Sequence, residues 1–264
     1  MATEELPNRM RVSLTGKVAV ISGAAGGIGQ VACEQFCEDG AAVVGVDVDE
    51  VGGSALADRL TAVGHDFEFR RVNVASAADV AGLAGHVRQR FGCLDILYNN
   101  AGIVRGATLL ETSEEEWDAI HNVNLKGTFL MTRELAKLMM GRKGSIINMS
   151  SNAGIVGFQS MSAYCASKGG VIMFTKACAI DLAPDIRVNA ICPGVIDTPM
   201  PRAFVNDLSD EEANAAWANF EEGHLTRRVG RPEEVVAMAR MLASDDASFI
   251  TGAAISVDGG WTAR

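Results

Sequence analysis

The stretch at residues 17–29 limits the possible folds of this chain more than any other. Residues 17–22 form a short apolar run, and the turn that follows, residues 23–29, reads GAAGGIG and opens a helix that continues to about residue 38. A run of this kind is typical of a parallel strand buried on both faces. A strand, a glycine-rich turn and a helix in succession bring backbone N–H groups and a helix N-terminus up to a pyrophosphate. The stretch therefore predicts an α/β fold with a dinucleotide site.

The alternation of strand and helix continues along the chain. The apolar patterns predict further strands at residues 42–46, 67–72, 94–98, 144–149, 186–191 and 253–257. They predict further helices at residues 51–63, 77–91, 117–140, 162–181 and 232–243. Such alternation implies right-handed βαβ crossovers. We therefore expect a single-domain, doubly wound parallel sheet of about seven strands, Rossmann-type, with helices on both faces.

The chain shows no linker or internal repeat, so we expect an N-terminal extension at residues 1–13 and one catalytic domain at residues 14–264. Residues 197–230 differ from the rest, because they are rich in acidic residues and alanine and carry three spaced aromatic side chains. We interpret this segment as a loop with short helices that closes over a substrate. A surface excursion whose aromatic residues pack on the body of the domain is an alternative, and the two are compatible.

Composition excludes several classes of partner. The chain has 264 residues, a net charge of −10 and a pI of about 4.9, which argue against nucleic acid or an anionic membrane as the main partner. We see no apolar run of the ~20 residues that a membrane span needs and no secretory signal. The six cysteines are scattered and the four histidines lack metal-ligand spacing. We expect a cytoplasmic protein in a reducing compartment, without a catalytic metal.

Asp47 follows the second predicted strand and lies 18 positions beyond Gly29. This is close to the place where an acidic residue binds the adenosine ribose hydroxyls in dinucleotide-binding folds. A carboxylate there would repel a 2′-phosphate, and no arginine or lysine lies in the glycine turn or directly after Asp47. The sequence therefore predicts NAD rather than NADP, with an ordinary strand-end cap as the alternative role for Asp47.

A hydroxyl, a phenol and an ammonium are expected to converge after the strand at residues 144–149. Tyr164 and Lys168 are four apart on a helix and share one face, and Ser151 follows the strand. Bringing a phenol from its free pKa of about 10 to near 7 requires roughly 4 kcal/mol. One ammonium ~4 Å away supplies a similar amount at an effective dielectric of ~20. The phenol could then exchange a proton with an alcohol or ketone oxygen that the serine holds. On this pattern alone, a helix whose Tyr and Lys face solvent remains open.

Several polar or turn positions come directly after the predicted strands. In a parallel sheet the ligand lies beyond the carboxyl ends of the strands. We therefore expect one site to collect the glycine turn together with Asp47, Asn73, Asn99, Ser151 and Pro193.

At this point the sequence resembles the short-chain dehydrogenase/reductase family, over about residues 14–260. Four motifs carry the resemblance, in order along the chain: Gly23-x-x-x-Gly27-x-Gly29, Asn99-Asn100-Ala101-Gly102, Ser151 with Tyr164-x-x-x-Lys168, and Pro193-Gly194. Tyr164 follows Ser151 by 13 positions, the usual interval in that family. Agreement of all four by chance is very improbable, and it favours the catalytic interpretation of Tyr164.

The resemblance implies a role for each catalytic residue. Tyr164 would be the general base in alcohol oxidation and the general acid in ketone reduction, and Ser151 would orient the substrate oxygen. Lys168 would lower the pKa of Tyr164 and hydrogen-bond the nicotinamide ribose. Asn124 would hold a water that relays protons past Lys168; Asn122 is the alternative by composition, but Asn124 fits the motif better. Hydride transfer belongs to the nicotinamide.

The resemblance also implies a set of cofactor contacts. These are Gly23, Ala25, Gly27, Ile28, Gly29, Asp47, Asn73, Val74, Asn99, Ala101, Gly102, Tyr164, Lys168, Pro193, Gly194, Ile196 and Thr198. Two positions depart from the family pattern. Ser22 replaces the usual threonine and keeps the hydroxyl. Asn73 replaces the usual aspartate, and its amide oxygen can still accept from the adenine amino group.

The predicted function is therefore an NAD-dependent oxidoreductase that interconverts a secondary alcohol and a ketone. We expect substrate contacts from Ser151, Asn152, Phe158, Gln159 and Tyr164, with Ile155 and Phe204 also lining an apolar pocket. One alternative is an NADP-dependent 3-oxoacyl carrier-protein reductase, against which Asp47 counts. Another is a non-catalytic dinucleotide-binding module. The resemblance further implies a homotetramer paired through the two long helices and the C-terminal strand.

Overall fold

The computed structural model describes residues 12–204, 206 and 209–263. Residues 1–11 of the expected N-terminal extension lie outside the described residues, as do three positions in the expected substrate lid. Within the described part, a seven-stranded parallel sheet forms in the order β3-β2-β1-β4-β5-β6-β7. Its strands are β1 (Val18–Ser22), β2 (Ala42–Asp47), β3 (Phe67–Arg71), β4 (Ile96–Asn99), β5 (Gly144–Met149), β6 (Ile186–Pro193) and β7 (Ala254–Val257). The predicted doubly wound fold is confirmed.

Helices cover both faces of this sheet. They are α1 (Gly27–Glu38), α2 (Glu50–Ala62), α3 (Ala77–Phe91), α4 (Glu114–His121), α5 (Thr128–Leu135), α6 (Ser162–Asp181), α7 (Pro199–Arg202), α8 (Asp210–Gly223) and α9 (Pro232–Ala243). The bounds predicted for α3, α6 and α9 are confirmed. None of the helices in the described part of the chain is long and apolar enough to cross a membrane.

The helix predicted at residues 117–140 differs from the observed structure. It begins earlier, at Glu114, because the Ser113 side chain accepts a hydrogen bond from the backbone N–H of Glu116. It is then interrupted by a π-helical turn, Asn122–Gly127, before α5 and a final 3-10 turn. Gly127 lies so close to Val74 that a Cβ at this position would lie 2.8 Å from the valine Cγ2. The turn therefore brings the helix backbone against the segment that follows β3.

Alternate residues of each strand pack on opposite faces of the sheet. In β1, Ala19 and Ile21 join one core cluster with α1, α2 and α9, whereas Val18 and Val20 join the other with α3 and α5. Both sets of side chains are removed from water, which is why the central strands are mainly apolar on both faces. Burial of this kind supplies most of the free energy that stabilises the fold.

The sheet order reverses at β1, which pairs with β2 on one side and with β4 on the other. At the carboxyl end of β1, the Ser22 hydroxyl oxygen accepts hydrogen bonds from the backbone N–H groups of Asn100 and Ala101, each 3.1 Å long. The Asn100 side chain in turn donates to the Ser22 carbonyl oxygen. These bonds fix the turns after β1 and β4 against each other, at the switch point where doubly wound sheets form a crevice for a ligand.

Candidate functional site

A cleft of about 860 Å³ opens along the carboxyl edge of the sheet. It brings together most of the residues singled out from the sequence: Gly23, Ala25, Gly27, Ile28, Asp47, Asn73, Val74, Ala101, Gly102, Ser151, Asn152, Phe158, Tyr164, Lys168, Pro193, Gly194, Ile196, Phe204 and Thr198. Five other expected residues are absent from its lining, namely Gly29, Asn99, Asn124, Ile155 and Gln159. The cleft is large enough for a dinucleotide and a small substrate side by side.

The glycine turn lies under one end of the cleft, at the N-terminus of α1. Gly23 has a φ of +69°, and a Cβ there would lie 2.9 Å from the Cα of Ala101. A Cβ on Gly27 would lie 2.7 Å from the Thr198 Cγ2, and one on Gly29 would lie 1.9 Å from the Gly23 carbonyl oxygen. Gly29 thus serves close packing within the turn. No side chain in the described part of the chain caps this helix N-terminus, whose first residues line the cleft.

Asp47 ends β2 and contacts the glycine turn directly. One carboxylate oxygen accepts a 3.0 Å hydrogen bond from the backbone N–H of Ala25. The other accepts from the backbone N–H groups of Val48 and Asp49, at 2.7 and 3.1 Å. The carboxylate is thereby fixed at the mouth of the cleft, beside the helix N-terminus.

Two asparagines occupy the positions after β3 and β4 in different ways. Asn73 is exposed at the cleft, and its side-chain oxygen accepts from the backbone N–H of Ala75. Asn99 is buried, and its amide nitrogen donates to Thr132 and Asn148 instead of reaching the cleft. Its neighbour Asn100 lines the cleft in its place. Successive residues of a strand point to opposite sides, which explains why Asn99 lies in the core.

Ser151 begins the short 3-10 turn after β5 and is buried at the floor of the cleft. Its hydroxyl accepts from the backbone N–H of Ala153 and donates to the side-chain oxygen of Asn152, 3.0 Å away. The amide nitrogen of Asn152 is also buried and has no hydrogen-bond partner among the described residues. The serine hydroxyl is therefore held in one orientation by its own neighbours.

Tyr164 lies on the first turn of α6 and is half-buried in the cleft wall. Burial raises the pKa of its phenol to about 12, and a hydrogen bond with the Ser151 side chain acts in the opposite direction. The phenol and the serine hydroxyl thus line the same cleft. The direction of the pKa shift is opposite to the expected one, since desolvation of the phenolate outweighs every interaction that favours it.

Lys168 lies one helical turn further along α6 and is almost completely buried. Its ammonium donates a 2.8 Å hydrogen bond to the Met149 carbonyl oxygen and lies 5.8 Å from the centroid of the Tyr164 ring. Burial lowers the pKa of this lysine to about 8. Gly102 leaves space beside it, because a Cβ there would lie 3.2 Å from the lysine nitrogen.

Asn124 lies in the π-helical turn behind the cleft and is buried. Its side-chain oxygen accepts from the backbone N–H of Ile103, and its nitrogen donates to the Ile103 carbonyl oxygen and to Ser167. The asparagine thus clamps the segment after β4 against α6. Its own backbone carbonyl oxygen accepts from the Thr128 hydroxyl.

The other rim of the cleft is formed by Pro193, which ends β6, and by the loop after it, which carries Gly194, Val195, Ile196 and Thr198. The segment that we predicted to be a lid begins here and returns to the same point. The backbone N–H of Asp197 donates to the Gly230 carbonyl oxygen, and the Gly230 N–H donates to the Val195 carbonyl oxygen. Between these ends lie α7 and the 14-residue helix α8, which is longer than the short helices that we expected.

Aromatic side chains form the wall of the cleft beyond Tyr164. The rings of Phe158 and Trp261 lie 5.5 Å apart and are tilted by 32°. Phe204 packs over Gly106, where a Cβ would lie 3.2 Å from its ring. Phe220, one of the three aromatic residues of the predicted lid, also lines the cleft, whereas Trp261 and Met161 were not predicted to do so. No signal in the sequence connects these distant positions, since only the tertiary fold brings them together.

The ionisable groups with a charge at neutral pH are few in this cleft. Among the described residues that line it, they are Asp47, Asp49 and Lys168. No group of three or more His, Cys, Asp or Glu side chains in the described ranges is arranged to hold a metal ion. The two carboxylates lie at the end near the glycine turn, and the lysine lies near the phenol.

Comparison with known proteins relates this chain to a set of oxidoreductases. A family model described as enoyl-(acyl carrier protein) reductase matches residues 23–262. The chain is 40% identical over 249 residues to 3-oxoacyl-(acyl-carrier-protein) reductase of Thermotoga maritima, an alignment that covers 94% of this chain and 98% of that protein. It is 38% identical over 250 residues to cyclopentanol dehydrogenase of a Comamonas species, with coverage of 94% and 98%.

Two further proteins extend this comparison. The chain is 36% identical over 253 residues to meso-2,3-butanediol dehydrogenase of Serratia marcescens, with 94% of this chain and 95% of that protein covered. The ligand-free structure of aldohexose dehydrogenase from Thermoplasma acidophilum superimposes with a TM-score of 0.86 at 32% identity and covers 95% of this chain and 96% of its own. These relatives share a fold over their whole length, and their names span several different substrates.

Proposed function

The chain belongs to the short-chain dehydrogenase/reductase family, oxidoreductases that act on CH–OH groups with a nicotinamide dinucleotide, and we propose that it is an NAD-dependent dehydrogenase that interconverts a secondary alcohol and a ketone. The single observation that carries this proposal is that Tyr164, Ser151 and Lys168 line one cleft, with the lysine ammonium 5.8 Å from the centroid of the Tyr164 ring. A proton donor or acceptor beside an oriented hydroxyl is what a carbonyl oxygen requires in this reaction.

The residues present fit a dinucleotide. Glycines at positions 23 and 27 keep the turn free of side chains that would fill the cradle, and the uncapped N-terminus of α1 offers N–H groups to a pyrophosphate. We propose that the glycine turn holds the pyrophosphate, that Asp47 binds the adenosine ribose, and that Asn73 and Val74 flank the adenine. Ala101, Gly102, Lys168 and the loop from Pro193 to Thr198 would hold the nicotinamide half.

In this proposal Tyr164 is the group that moves the proton. It donates to the substrate oxygen when a ketone is reduced and accepts from it when an alcohol is oxidised. Ser151, already held by Ala153 and Asn152, orients that oxygen toward the phenol. The bound nicotinamide supplies the hydride chemistry. We propose that a bound substrate, together with the aromatic wall, excludes water from the reacting oxygen, which strengthens the electrostatic interactions there.

Lys168 has two consequences for this mechanism. Its ammonium is nearly buried and is anchored to the Met149 carbonyl oxygen, so its position under the phenol ring is fixed. With a pKa lowered to about 8, it gives up a proton more readily than an exposed lysine. We propose that it assists proton exchange at Tyr164 and that Asn124, which contacts Ser167 on the same helix, supports this exchange from behind.

The preference for NAD rests on charge. Asp47 and Asp49 both line the cleft near the glycine turn, and no arginine is among its described lining residues. Two carboxylates would repel a 2′-phosphate, and Lys168, the one lysine or arginine among the described lining residues, lies at the phenol end of the cleft. These observations support NAD, although the relatives with similar sequences include 3-oxoacyl-(acyl-carrier-protein) reductases.

The substrate that we propose is a small, largely apolar secondary alcohol or its ketone. The aromatic wall and the neighbouring Met161 and Met200 offer mostly apolar surface to it, and Asn152 stands beside Ser151. The names of the relatives, which include cyclopentanol and 2,3-butanediol dehydrogenases, agree with alcohols of this size.

The decisive experiment is an absorbance assay at the wavelength of reduced nicotinamide. Purified protein is incubated with NAD and a panel of cyclic, vicinal and open-chain secondary alcohols, and in parallel with NADP. We expect turnover with at least one alcohol and a clear preference for NAD. Tight NAD binding by calorimetry without turnover across the panel would instead indicate a non-catalytic dinucleotide-binding module.

We also propose a homotetramer in the cytoplasm. Residues of α5 and α6 expose apolar side chains on the outer surface of the domain, among them Phe129, Met173 and Ile180. Phe129 packs edge-on against Phe174 with ring centroids 6.3 Å apart, which joins the two helices into one apolar surface. Pairing through this surface would remove it from water. Light scattering coupled to gel filtration measures the assembly directly.

A further inference from the structure

His224 occupies a position between three parts of the cleft wall without lining the cleft itself. It follows α8 directly and is 2% exposed. Its neighbours in space are Phe220 of α8, Val195 of the loop after β6, and Trp261 near the end of the chain, and each of these three residues lines the cleft. A single buried imidazole therefore contacts the proposed lid, the proposed nicotinamide loop and the aromatic wall.

The hydrogen bonds of this imidazole define its tautomer. The backbone N–H of Val195 donates to Nε2 over 3.2 Å, so Nε2 carries no hydrogen. Nδ1 lies 2.6 Å from the Phe220 carbonyl oxygen, which can only accept, so Nδ1 carries the hydrogen and donates it. The ring is thus neutral, with one nitrogen serving α8 and the other serving the loop.

The packing around the ring leaves little freedom to move. A Cβ on Gly194 would lie 2.6 Å from Nε2, and one on Gly259 would lie 3.1 Å from the imidazole Cδ2. The indole of Trp261 meets the imidazole edge-on, with centroids 4.8 Å apart and an interplanar angle of 75°. Both glycines are required because the loop and the C-terminal segment approach the ring this closely. A displacement of the ring would therefore displace the loop, α8 or Trp261 with it.

We propose that His224 is a positioning residue that fixes the loop after β6 relative to α8, and thereby sets dinucleotide affinity through Val195 and the shape of the alcohol pocket through Phe220 and Trp261. The dinucleotide and the alcohol are those of the proposed function, on which this inference rests. The two nitrogens have separable effects: Nε2 acts on the loop, and Nδ1 acts on α8. If the ring only filled space, its two nitrogens would not have separate effects on the loop and on α8.

Substitutions can separate the two nitrogens. His224→Gln keeps an acceptor near the position of Nε2 and loses the donor to Phe220, whereas His224→Asn keeps the donor near Nδ1 and loses the acceptor for Val195. His224→Phe keeps the ring and loses both. His121 is the matched control, because its Nδ1 also contacts a carbonyl oxygen four residues earlier and its ring also packs on a tryptophan, Trp117, yet it does not line the cleft.

We expect a distinct pattern in two measurements. The Kd for NAD is measured by calorimetry without substrate. It should stay within about threefold of the wild-type value in His224→Gln. It should rise about tenfold in His224→Asn and His224→Phe, as the loss of one hydrogen bond predicts. The KM for the alcohol should rise in His224→Gln and His224→Phe and change little in His224→Asn, with kcat less affected. His121→Gln should change neither quantity.

Two results would overturn the inference. One is an equal effect of all three substitutions that follows the loss of thermal stability, which indicates a packing role only. The other is a ¹⁵N NMR spectrum of the wild-type protein in which Nε2 of His224 carries the hydrogen, a measurement that needs no variant to fold. If the expected Kd pattern is found but no alcohol is turned over, the positioning role stands and the proposed catalytic function fails.

Discussion

The ammonium of Lys168 lies 5.8 Å from the centroid of the Tyr164 ring and donates its hydrogen bond to the Met149 carbonyl oxygen, 2.8 Å away. Burial moves the pKa values of the two side chains apart: that of Tyr164 rises to about 12 and that of Lys168 falls to about 8. At neutral pH the phenol is therefore protonated. This relationship has direct consequences for how activity and stability depend on pH.

The two directions of the reaction should respond oppositely to pH. Alcohol oxidation needs the phenolate, whose fraction grows about tenfold per pH unit below the pKa of Tyr164, whereas ketone reduction needs the phenol. We expect kcat/KM for oxidation with NAD to rise steadily between about pH 6 and pH 9, and kcat/KM for reduction to be flat or to fall. Steady-state kinetics in both directions over this range measure the effect. A fall in oxidation on the alkaline side of neutrality would remove Tyr164 as the base.

Replacing Tyr164 with phenylalanine should abolish turnover while NAD still binds. The substitution removes the proton-transferring oxygen and keeps the ring, so kcat should fall by about 10²–10⁴-fold and the Kd for NAD should change little. Kinetics and calorimetry measure the two quantities. The only other tyrosine, Tyr98, provides the control, because its phenol oxygen is buried away from the cleft and has no hydrogen-bond partner in the described part of the chain. Tyr98→Phe should leave kcat unchanged and stability equal or slightly higher.

Replacing Asp47 with serine should raise the use of NADP relative to NAD. The serine keeps an acceptor for the Ala25 N–H and removes the charge that repels a 2′-phosphate. We expect the ratio of kcat/KM for NADP to that for NAD to rise by about tenfold or more. Asp49→Asn serves as the comparison, since it keeps the cap of α2 and should change this ratio less. An unchanged ratio in Asp47→Ser would exclude Asp47 from the ribose site.

Replacing Lys168 with methionine should increase stability at neutral pH although it abolishes efficient turnover. The pKa of the folded lysine is lower than that of the unfolded chain, so its charge opposes folding below about pH 8 and this cost disappears as the pH approaches 10.5. A shift of this size corresponds to about 3 kcal/mol, from which loss of the bond to Met149 subtracts. We expect urea denaturation to give a gain for Lys168→Met at pH 7 that shrinks at pH 10. A loss of stability that is the same at both pH values would contradict the buried-charge argument.

The central strands are predictable from the sequence because parallel strands buried on both faces are mainly apolar. Residues 144–149 were predicted as a strand, and β5 spans Gly144–Met149. The place of the site followed from the same topology, since side chains after successive parallel strands meet at one edge. Ser151, Tyr164 and Lys168 lie together for this reason. At these positions the local sequence pattern and the global fold favour the same structure, so the local pattern is sufficient to predict it.

The remaining features depend on tertiary contacts that no local pattern contains. The π-helical turn at Asn122–Gly127 accompanies close packing of Gly127 on Val74, and the aromatic wall joins residues far apart in the chain. The sequence does not show which of Asn99 and Asn100 faces the cleft. A shift of one residue in the end of β4 would exchange the asparagine that points into the core. The pKa direction of Tyr164 was wrong because the sequence reasoning counted the lysine and did not count burial.

The excursion from Asp197 to Gly230 leaves the domain and rejoins it through a pair of backbone hydrogen bonds. Since backbone groups make these bonds, they are independent of the side chains that lie between them. Evolution can therefore exchange the whole excursion for one of another length or shape, without altering the register of β6 or the start of α9. An enzyme with the same catalytic base would then accept a different alcohol after replacement of this one segment. A segment grafted in the laboratory could be joined at the same two positions.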